Sequence, residues 1–388
     1  MIKHIFTLVW NKRGKNFLLF LEIFLAFAIL FIVFTFAIQA FRTYSSPLGF
    51  DTKDSWVAFL EWSEELDSTA LEDTKLRLEQ ELEAKPEVLS ASYLGQVTPF
   101  GGGMWQSVND DNGFELRTHL FWSDEDFFET ADLELLGGRF FNEDDQRAKY
   151  KPVIINRKLW EDSFGGKPIL DSIYQIQGEN RVVGVVDHFK YVNEFRSEEP
   201  MSFFLNPKAS RDLPNIMLEL APGTTAAFQE EVNKTISDIT RRNDFRIVDL
   251  DQRRVSNSRR YWVPLIAALS ICAFLIINVA LGLFGVLYYT ISKRRAEIGL
   301  RRTLGATQQT ITFQFIAEVL MVAGLAILLA SFFAIQLPLL NVMNVPDSNY
   351  YLSMLFTSTL ILLVVLLCAF YPSQQASRIH PAVALHEE

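Results

Sequence analysis

The sequence predicts a membrane protein with an α-helical transmembrane domain of four helices and an α+β extracytoplasmic domain of two subdomains. Three observations predict it. Four apolar runs are each long enough for a hydrocarbon core of about 30 Å, which takes about 20 helical residues. The 220 residues between the first and second runs are polar, with alternating strand-like and helix-like pieces. Basic residues gather before the first run and between the second and third, where short loops stay on the cytoplasmic side.

Residues 1–16 read as a cytoplasmic amphipathic helix. Ile2, Ile5, Phe6 and Val9 follow helical spacing, with Trp10 next and Lys12-Arg13 after, which suits a helix in the inner interface. An unstructured positive leader is the alternative. The first span is 17–41, with one charge, Glu22. Its apolar stretch is about twice a signal-peptide core in length and no Ala-x-Ala follows, so retention is expected.

Residues 42–261 form the expected extracytoplasmic domain. Ser55–Trp62 is strand-like. Asp67 or Ser68 can cap a helix to about Lys85, with Leu71, Leu78 and Leu82 on one side and Pro86 ending it. Val88–Leu94 completes a strand-helix-strand unit. After the flexible turn Gly101-Gly102-Gly103, strands are expected near 115–121, 152–155, 172–176 and 181–186, with a short helix near 157–164. Strand 215–220, helix 224–241 and strand 245–250 give a second strand-helix-strand unit. One subdomain is therefore placed at about 50–100 with 212–252, and a β-rich insertion at about 104–211.

The second span, 262–291, carries no charge. A basic cytoplasmic segment follows at 292–310. The third span is 311–340, with one charge, Glu318. A loop at 341–351 has only Asp347, the fourth span is 352–371, and a tail at 372–388 has Arg378. This distribution places both termini in the cytoplasm and 42–261 outside.

Charge is uneven. Residues 42–261 hold 26 Lys/Arg and 40 Asp/Glu, net −14, which argues for a soluble acidic domain and against nucleic-acid binding. Both cysteines, Cys272 and Cys368, fall in spans, so the outer domain must hold together without a disulfide. Arg253, Arg254, Arg259 and Arg260 precede the second span, as a face for lipid phosphates or as a solvated one.

Motifs for catalysis are missing. There is no Gly-x4-Gly-Lys-Ser/Thr phosphate cradle, since Gly165-Gly166-Lys167 lacks the first glycine and the hydroxyl. HExxH, paired CxxC and Gly-x-Ser-x-Gly are missing too. The five histidines are dispersed, and Asp187-His188 reads as a surface pair. No metal site, resident cofactor or catalytic residue is expected.

Two carboxylates lie within spans, where burial costs about 2.5–3.5 kcal/mol at the centre. Glu22 and Glu318 both sit toward the cytoplasmic side. Glu318 can reach an Arg or Lys of the basic segment and join spans; snorkelling to the interface is the other reading.

The segment Lys293–Thr307 holds five Lys/Arg and Glu297. It reads as an amphipathic helix with Ile298, Leu300 and Leu304 on one face. Glu297 can pair with Arg301 at i, i+4 for about 0.3–0.5 kcal/mol. Arg301 and Arg302 can form bidentate bonds to carboxylates. Gly299 and Gly305 can admit a partner backbone. Contact with anionic lipid headgroups is the alternative.

Arg294 through Thr307, followed by Gln314-Phe315-Ile316-Ala317-Glu318, resembles the basic "REIGLRRALGA" segment and the next-span opening of the FtsX-like permease family, in particular its MacB-type members. The tail, Tyr371-Pro372-Ser373 through Ala376 to Leu385, is similar to that family's ending, with Pro-Ser-Gln-Gln where Pro-Ala-Arg-Arg is usual. Asp126-Phe127-Phe128, Gly138-Arg139-Phe140-Phe141 and Val183 to Asp187 look like its outer domain.

The resemblance implies the non-catalytic permease subunit of an ABC transporter in a bacterial inner membrane. It implies a coupling helix seated on a cytoplasmic ABC ATPase subunit, with Arg294, Arg295, Glu297, Ile298, Gly299, Arg301, Arg302, Leu304 and Gly305 as coupling residues. ATP and Mg would belong to that ATPase, expected on a separate chain. Also implied are a dimer with a second copy or paralogue, contact with membrane lipids, and a periplasmic adaptor and outer-membrane channel. ATP-driven closure would pass through the spans to the outer domain by mechanotransmission, for efflux or export from the periplasm. Lipoprotein release and FtsX-like regulation of cell-wall hydrolases are the alternatives; the size of the outer domain favours the MacB type over the latter.

Overall fold

The computed structural model describes residues 13–109, 115–176, 178–340 and 342–377. Most of the expected N-terminal amphipathic helix, residues 1–12, and the tail beyond Ser377 lie outside the described residues. Elements follow in chain order as α1 (Arg13–Tyr44), β1 (Ser55–Phe59), α2 (Ser68–Glu83), β2 (Val88–Leu94), β3 (Trp105–Asn109), β4 (Glu115–Ser123), α3 (Phe127–Thr130), β5 (Leu135–Gly138) and β6 (Lys151–Asn156). Next come α4 (Arg157–Phe164), β7 (Ile173–Gln175), β8 (Glu179–Val186), β9 (Met201–Leu205), β10 (Asn215–Leu220), α5 (Phe228–Thr240), β11 (Arg246–Asp249) and α6 (Leu250–Lys293). The chain closes with α7 (Arg295–Thr303), α8 (Gln308–Ala334), α9 (Gln336–Leu339) and α10 (Asp347–Ser377). Two units result: residues 43–261, and residues 1–42 with 262–388.

In the outer unit the strands form one sheet, ordered β11-β1-β10-β2-β4-β9-β6-β8-β5, with β3 on β4 and β7 on β8. Side chains alternate across it, as the two-residue period of a strand requires. Trp56 and Ala58 of β1, Ala91 and Tyr93 of β2, and Ile216 and Leu218 of β10 meet Leu78 and Leu82 of α2 and Val232 and Ile236 of α5. Leu120, Val153, Ile155 and Phe204 meet Leu159 of α4. Their neighbours on the opposite face, Val57, Leu94, Phe121, Ile154, Phe203 and Met217, join a third, Phe-rich core with Phe127, Phe128 and Phe189. Phe203 sits 5.1–5.4 Å, centroid to centroid, from Phe121, Phe128 and Phe189.

The expected two subdomains therefore share a sheet and a core. Their joint is narrow: β2 and β4 pair only at Leu94–Ser123. Gly95 N donates to Trp122 O at 2.8 Å and Tyr93 N donates to Asp124 Oδ2 at 2.7 Å. Beside the joint, Lys208 Nζ reaches Glu79 Oε1 at 2.6 Å and Asp126 Oδ2 at 2.8 Å, with fully buried Asp124 at 3.9 Å. Burial pushes the Asp124 carboxyl well above its usual range, against the opposing pull of Lys208.

Three strands and a turn of helix go beyond the sequence reading: β3, β5, β9 and α3. β5 is Leu-Leu-Gly-Gly, whose glycines weaken strand preference. Its Gly138 has φ +81, and a Cβ there would lie 2.2 Å from Val183 O, so only glycine fits against β8. β9, Met-Ser-Phe-Phe-Leu, is buried between β4 and β6. As a fully covered strand it lacks the polar alternation that marks a half-exposed one. The expected strand 245–250 is cut to 246–249, because Asp249 Oδ1 caps α6 by accepting from Gln252 N at 3.0 Å.

In the membrane unit, α1, α6, α8 with α9, and α10 each hold a segment long and apolar enough to cross a membrane. One core joins them, including Ile23, Phe27 and Leu30 of α1, Leu283 of α6, Ala323 and Ala326 of α8, and Val365 and Ala369 of α10. The small residues on α8 and α10 permit the close approach that drives helix association in lipid. Arg42 donates to Ser348 Oγ at 2.8 Å and to Asn349, joining the end of α1 to the start of α10.

Candidate functional site

The basic segment folds as α7, a nine-residue helix shorter than the expected 292–310. Two local signals delimit it. Arg294 leaves helical geometry between α6 and α7, with φ −105 and ψ 14. At the far end Gly305 takes φ +96. Ala306 N donates to Arg301 O at 3.0 Å and Gly305 N to Arg302 O at 3.1 Å. These paired bonds are a Schellman stop, which favours glycine. Thr307 then caps α8, its side chain accepting from Thr310 N at 3.2 Å. Gly305 thus sets the turn between helices.

The helix is anchored from below. Ile298 is 3% exposed and packs with Ile291, Ile311 and Phe315. Arg294 Nη1 reaches Glu318 Oε2 at 3.1 Å, and Gln314 Nε2 donates to Glu318 Oε1 at 3.1 Å. The Arg294 guanidinium also stands 5.8 Å from the Phe315 ring centroid. Arg301 donates to Glu297 Oε1 at 2.5 Å and to Gln314 Oε1 at 2.8 Å. Glu318 is therefore a contact between the basic segment and a span. Gln314 is the member of this network that sequence reasoning did not single out as a site residue; its i, i+4 spacing to Glu318 was the available signal.

Two expectations need correction. Ile298, Leu300 and Leu304 do not share a face: Leu300 is 54% and Leu304 is 80% exposed. At 100° per residue, Ile298 and Leu300 lie on nearly opposite sides of a helix. Gly299 is buried against its own chain rather than open to a partner backbone. Along α7 and its C-cap, Ala296, Glu297, Leu300 and Leu304 are exposed on one side and Arg295 is exposed at the first turn, while Arg302 is half-buried.

Glu22 packs against α6. A Cβ on Gly282 would lie 2.8 Å from Glu22 Oε2, so the glycine makes room for the carboxylate. In the outer unit His188 Nδ1 lies 2.7 Å from Glu198 Oε2 and 3.5 Å separates its Nε2 from Asp187; no hydroxyl or thiol nucleophile joins this pair among the described contacts. Among the described residues no group of three His, Cys, Asp or Glu side chains is arranged to hold a metal ion.

Comparison with known proteins places these features. Residues 17–235 match the MacB-like periplasmic core domain, and residues 269–381 match the FtsX-like permease C-terminal region. A probable export ATP-binding/permease protein of Pseudomonas fluorescens is 27% identical over 282 residues, covering 67% of this chain and 41% of that protein. A macrolide export ATP-binding/permease protein MacB of Bdellovibrio bacteriovorus is 25% identical over 273 residues, 65% of this chain and 41% of its own length. The chain thus spans well under half of these relatives. The periplasmic region of MacB from Actinobacillus actinomycetemcomitans aligns at TM-score 0.39 and 13% identity, over 55% of this chain and 97% of that one. With the MacB-like core domain matched over more than half of this chain, and the FtsX-like region following it, the chain belongs to the FtsX-like, MacB-type family of ABC transporter permeases.

Proposed function

We propose that this chain is a permease subunit that couples ATP hydrolysis on a cytoplasmic ATPase subunit to movements of its outer domain, for export of a substrate from the periplasm. In this reading both termini are cytoplasmic, two permease chains pair, and ATP and Mg are held by the ATPase. The observation that carries it is the two-sided character of α7. One side is fixed to α6 and α8 by Ile298, Arg294–Glu318 and Arg301–Gln314. The other presents Leu300 and Leu304 to solvent. Two large apolar side chains exposed beside charged ones form a patch that a protein partner can cover. A helix bonded to two neighbours can pass a push into them, which a loose loop cannot. The relatives' names join an ATP-binding part to a permease, which supports an ATPase as the partner, and their designation as export proteins, for macrolides in one of them, supports efflux.

The test is co-purification of the full chain with candidate ABC ATPases, scored for a stable complex and ATP hydrolysis. The expected result is a stoichiometric, hydrolysing complex that the Leu300→Glu/Leu304→Glu variant fails to form while still inserting. Retention of a periplasmic protein with no ATPase recruited, or docking unchanged in that variant, would overturn the reading.

A further inference from the structure

The outer unit contains a cavity of about 1230 Å³ that the coupling role does not use. It opens where β11 passes into the first turns of α6. Its walls carry five cations, Lys53, Arg246, Arg253, Arg254 and Arg260, against three carboxylates, Asp54, Asp249 and Asp251. Two of the carboxylates are engaged. Asp249 caps α6, and Asp251 lies 2.8 Å from Arg254, which also reaches Glu194 at 3.3 Å.

Arg246 and Arg253 are different. Among the described residues no carboxylate pairs with either. Both guanidinium groups rest on one ring, Phe59, at 5.0 and 5.3 Å from its centroid. Arg253 Nη1 is buried with no hydrogen-bond partner. Burial first, and then the charge of Arg246, lower the Arg253 pKa. A buried guanidinium donor without an acceptor is costly, and stacking on an aromatic face offsets only part of that cost. An anion in the cavity would supply the countercharge that neither guanidinium has among the described residues.

We propose that this cavity binds a phosphate-bearing ligand, with Arg246 and Arg253 as its anion-binding pair and Arg260 beside them. A phosphate offers several acceptor oxygens to forked guanidinium donors, whereas a carboxylate offers two. Trp56, Phe100, Ile247 and Tyr261 add apolar surface to the same walls. The volume exceeds the roughly 300–1,000 Å³ usual for small-ligand pockets, so an apolar body attached to the phosphate can be housed. A lipid headgroup and a soluble phosphate ester share this chemistry.

The test is hydrogen–deuterium exchange of the full chain in phosphatidylcholine nanodiscs, read in peptides covering residues 246–260. Inorganic phosphate is added in one arm, and phosphatidylglycerol replaces part of the lipid in the other. Slowed exchange with inorganic phosphate supports the proposal and identifies a soluble ligand; slowing only with phosphatidylglycerol supports it and identifies a headgroup. In Arg246→Gln/Arg253→Gln the response should weaken about tenfold or more, as lost charge-assisted bonds imply, with exchange in β2 and β10 unchanged. If that variant does not fold, Arg246→Lys/Arg253→Lys keeps the charge, loses the fork and should respond more weakly. No slowing in either arm, or an undiminished response in the folded variant, overturns the proposal.

Discussion

Arg294 Nη1 and Glu318 Oε2 stand 3.1 Å apart, with both side chains largely covered. The residue that breaks the helix between α6 and α7 is thereby tied to the interior of α8. Removing one member of a largely covered pair leaves the other without its charge partner. Glu318→Gln and Arg294→Gln are each expected to leave insertion intact and lower permease-dependent ATP hydrolysis about tenfold, from a loss of about 1–3 kcal/mol in helix anchoring. The charge-reversed pair Arg294→Glu/Glu318→Arg should restore part of it. Hydrolysis rates of the four proteins in one lipid composition check this; equal rates in all of them would rule it out.

The two sides of α7 should respond differently to truncation. Ile298→Ala empties a buried position and should cost about 2–4 kcal/mol locally, read as protease sensitivity at residues 294–306. Leu304→Ala touches an exposed position and should leave protease sensitivity unchanged while weakening ATPase docking. Arg301→Glu/Arg302→Glu should insert normally and fail to stimulate hydrolysis. If Leu304→Ala and wild type bind the ATPase equally, the outward face of α7 is not the docking surface.

Gly282 and Glu22 form a size-matched contact between α1 and α6. Gly282→Val should force the carboxylate aside and lower thermal stability of the full chain by about 1–3 kcal/mol. Glu22→Ala should relieve much of that loss in the double variant. A loss in the double variant equal to the sum of the losses in Gly282→Val and Glu22→Ala alone would show that the two residues are uncoupled.

Buried lysines predict the alkaline behaviour of the outer unit. Lys75 donates to Ser210 O at 2.8 Å and Leu213 O at 2.7 Å, and Lys190 donates to Glu194 O at 2.9 Å. Burial pushes each pKa down to about 8. Between about pH 8 and the ordinary lysine value the unfolded chain then binds more protons than the folded one, so stability rises with pH across that window. Lys208 stays charged in both states there, because Asp124, Asp126 and Glu79 hold its pKa up against burial. The expected slope is about 1 kcal/mol per pH unit for each of Lys75 and Lys190. Urea unfolding followed by tryptophan fluorescence at several pH values measures it. Lys75→Met should reduce the slope by about half, and an unchanged slope would exclude Lys75 as a source.

Much of the chain is legible from local chemistry. Uncharged runs such as Trp262–Ile291 must be helical in lipid, because backbone groups there have no water to satisfy them. Asp67 caps α2 through Ala70 N at 2.8 Å, and Gly165 closes α4 in the left-handed region; both are signals read within a few residues. The Glu297–Arg301 pair is equally local.

Other features depend on residues far apart in sequence. The burial of β9 and the fit of Gly138 against β8 arise from strand order, which spacing does not encode. Register across the sheet sends Phe121 and Phe203 into one core and Leu120 and Phe204 into another. The basic segment announces itself in sequence, but which of its residues are consumed internally was decided by α8, whose Gln314 and Glu318 engage Arg301 and Arg294. Likewise the run Arg253–Arg260 was visible as charge, whereas its place on a cavity wall beside Arg246 required β11 to pair with β1, which sets Arg246 opposite Phe59. The sequence by itself determined the spans, the helix caps and the basic and acidic segments, since these follow from solvation and short-range bonding. The tertiary structure decided which charges are paired and which are left to a ligand, because that depends on distances between elements that only packing sets.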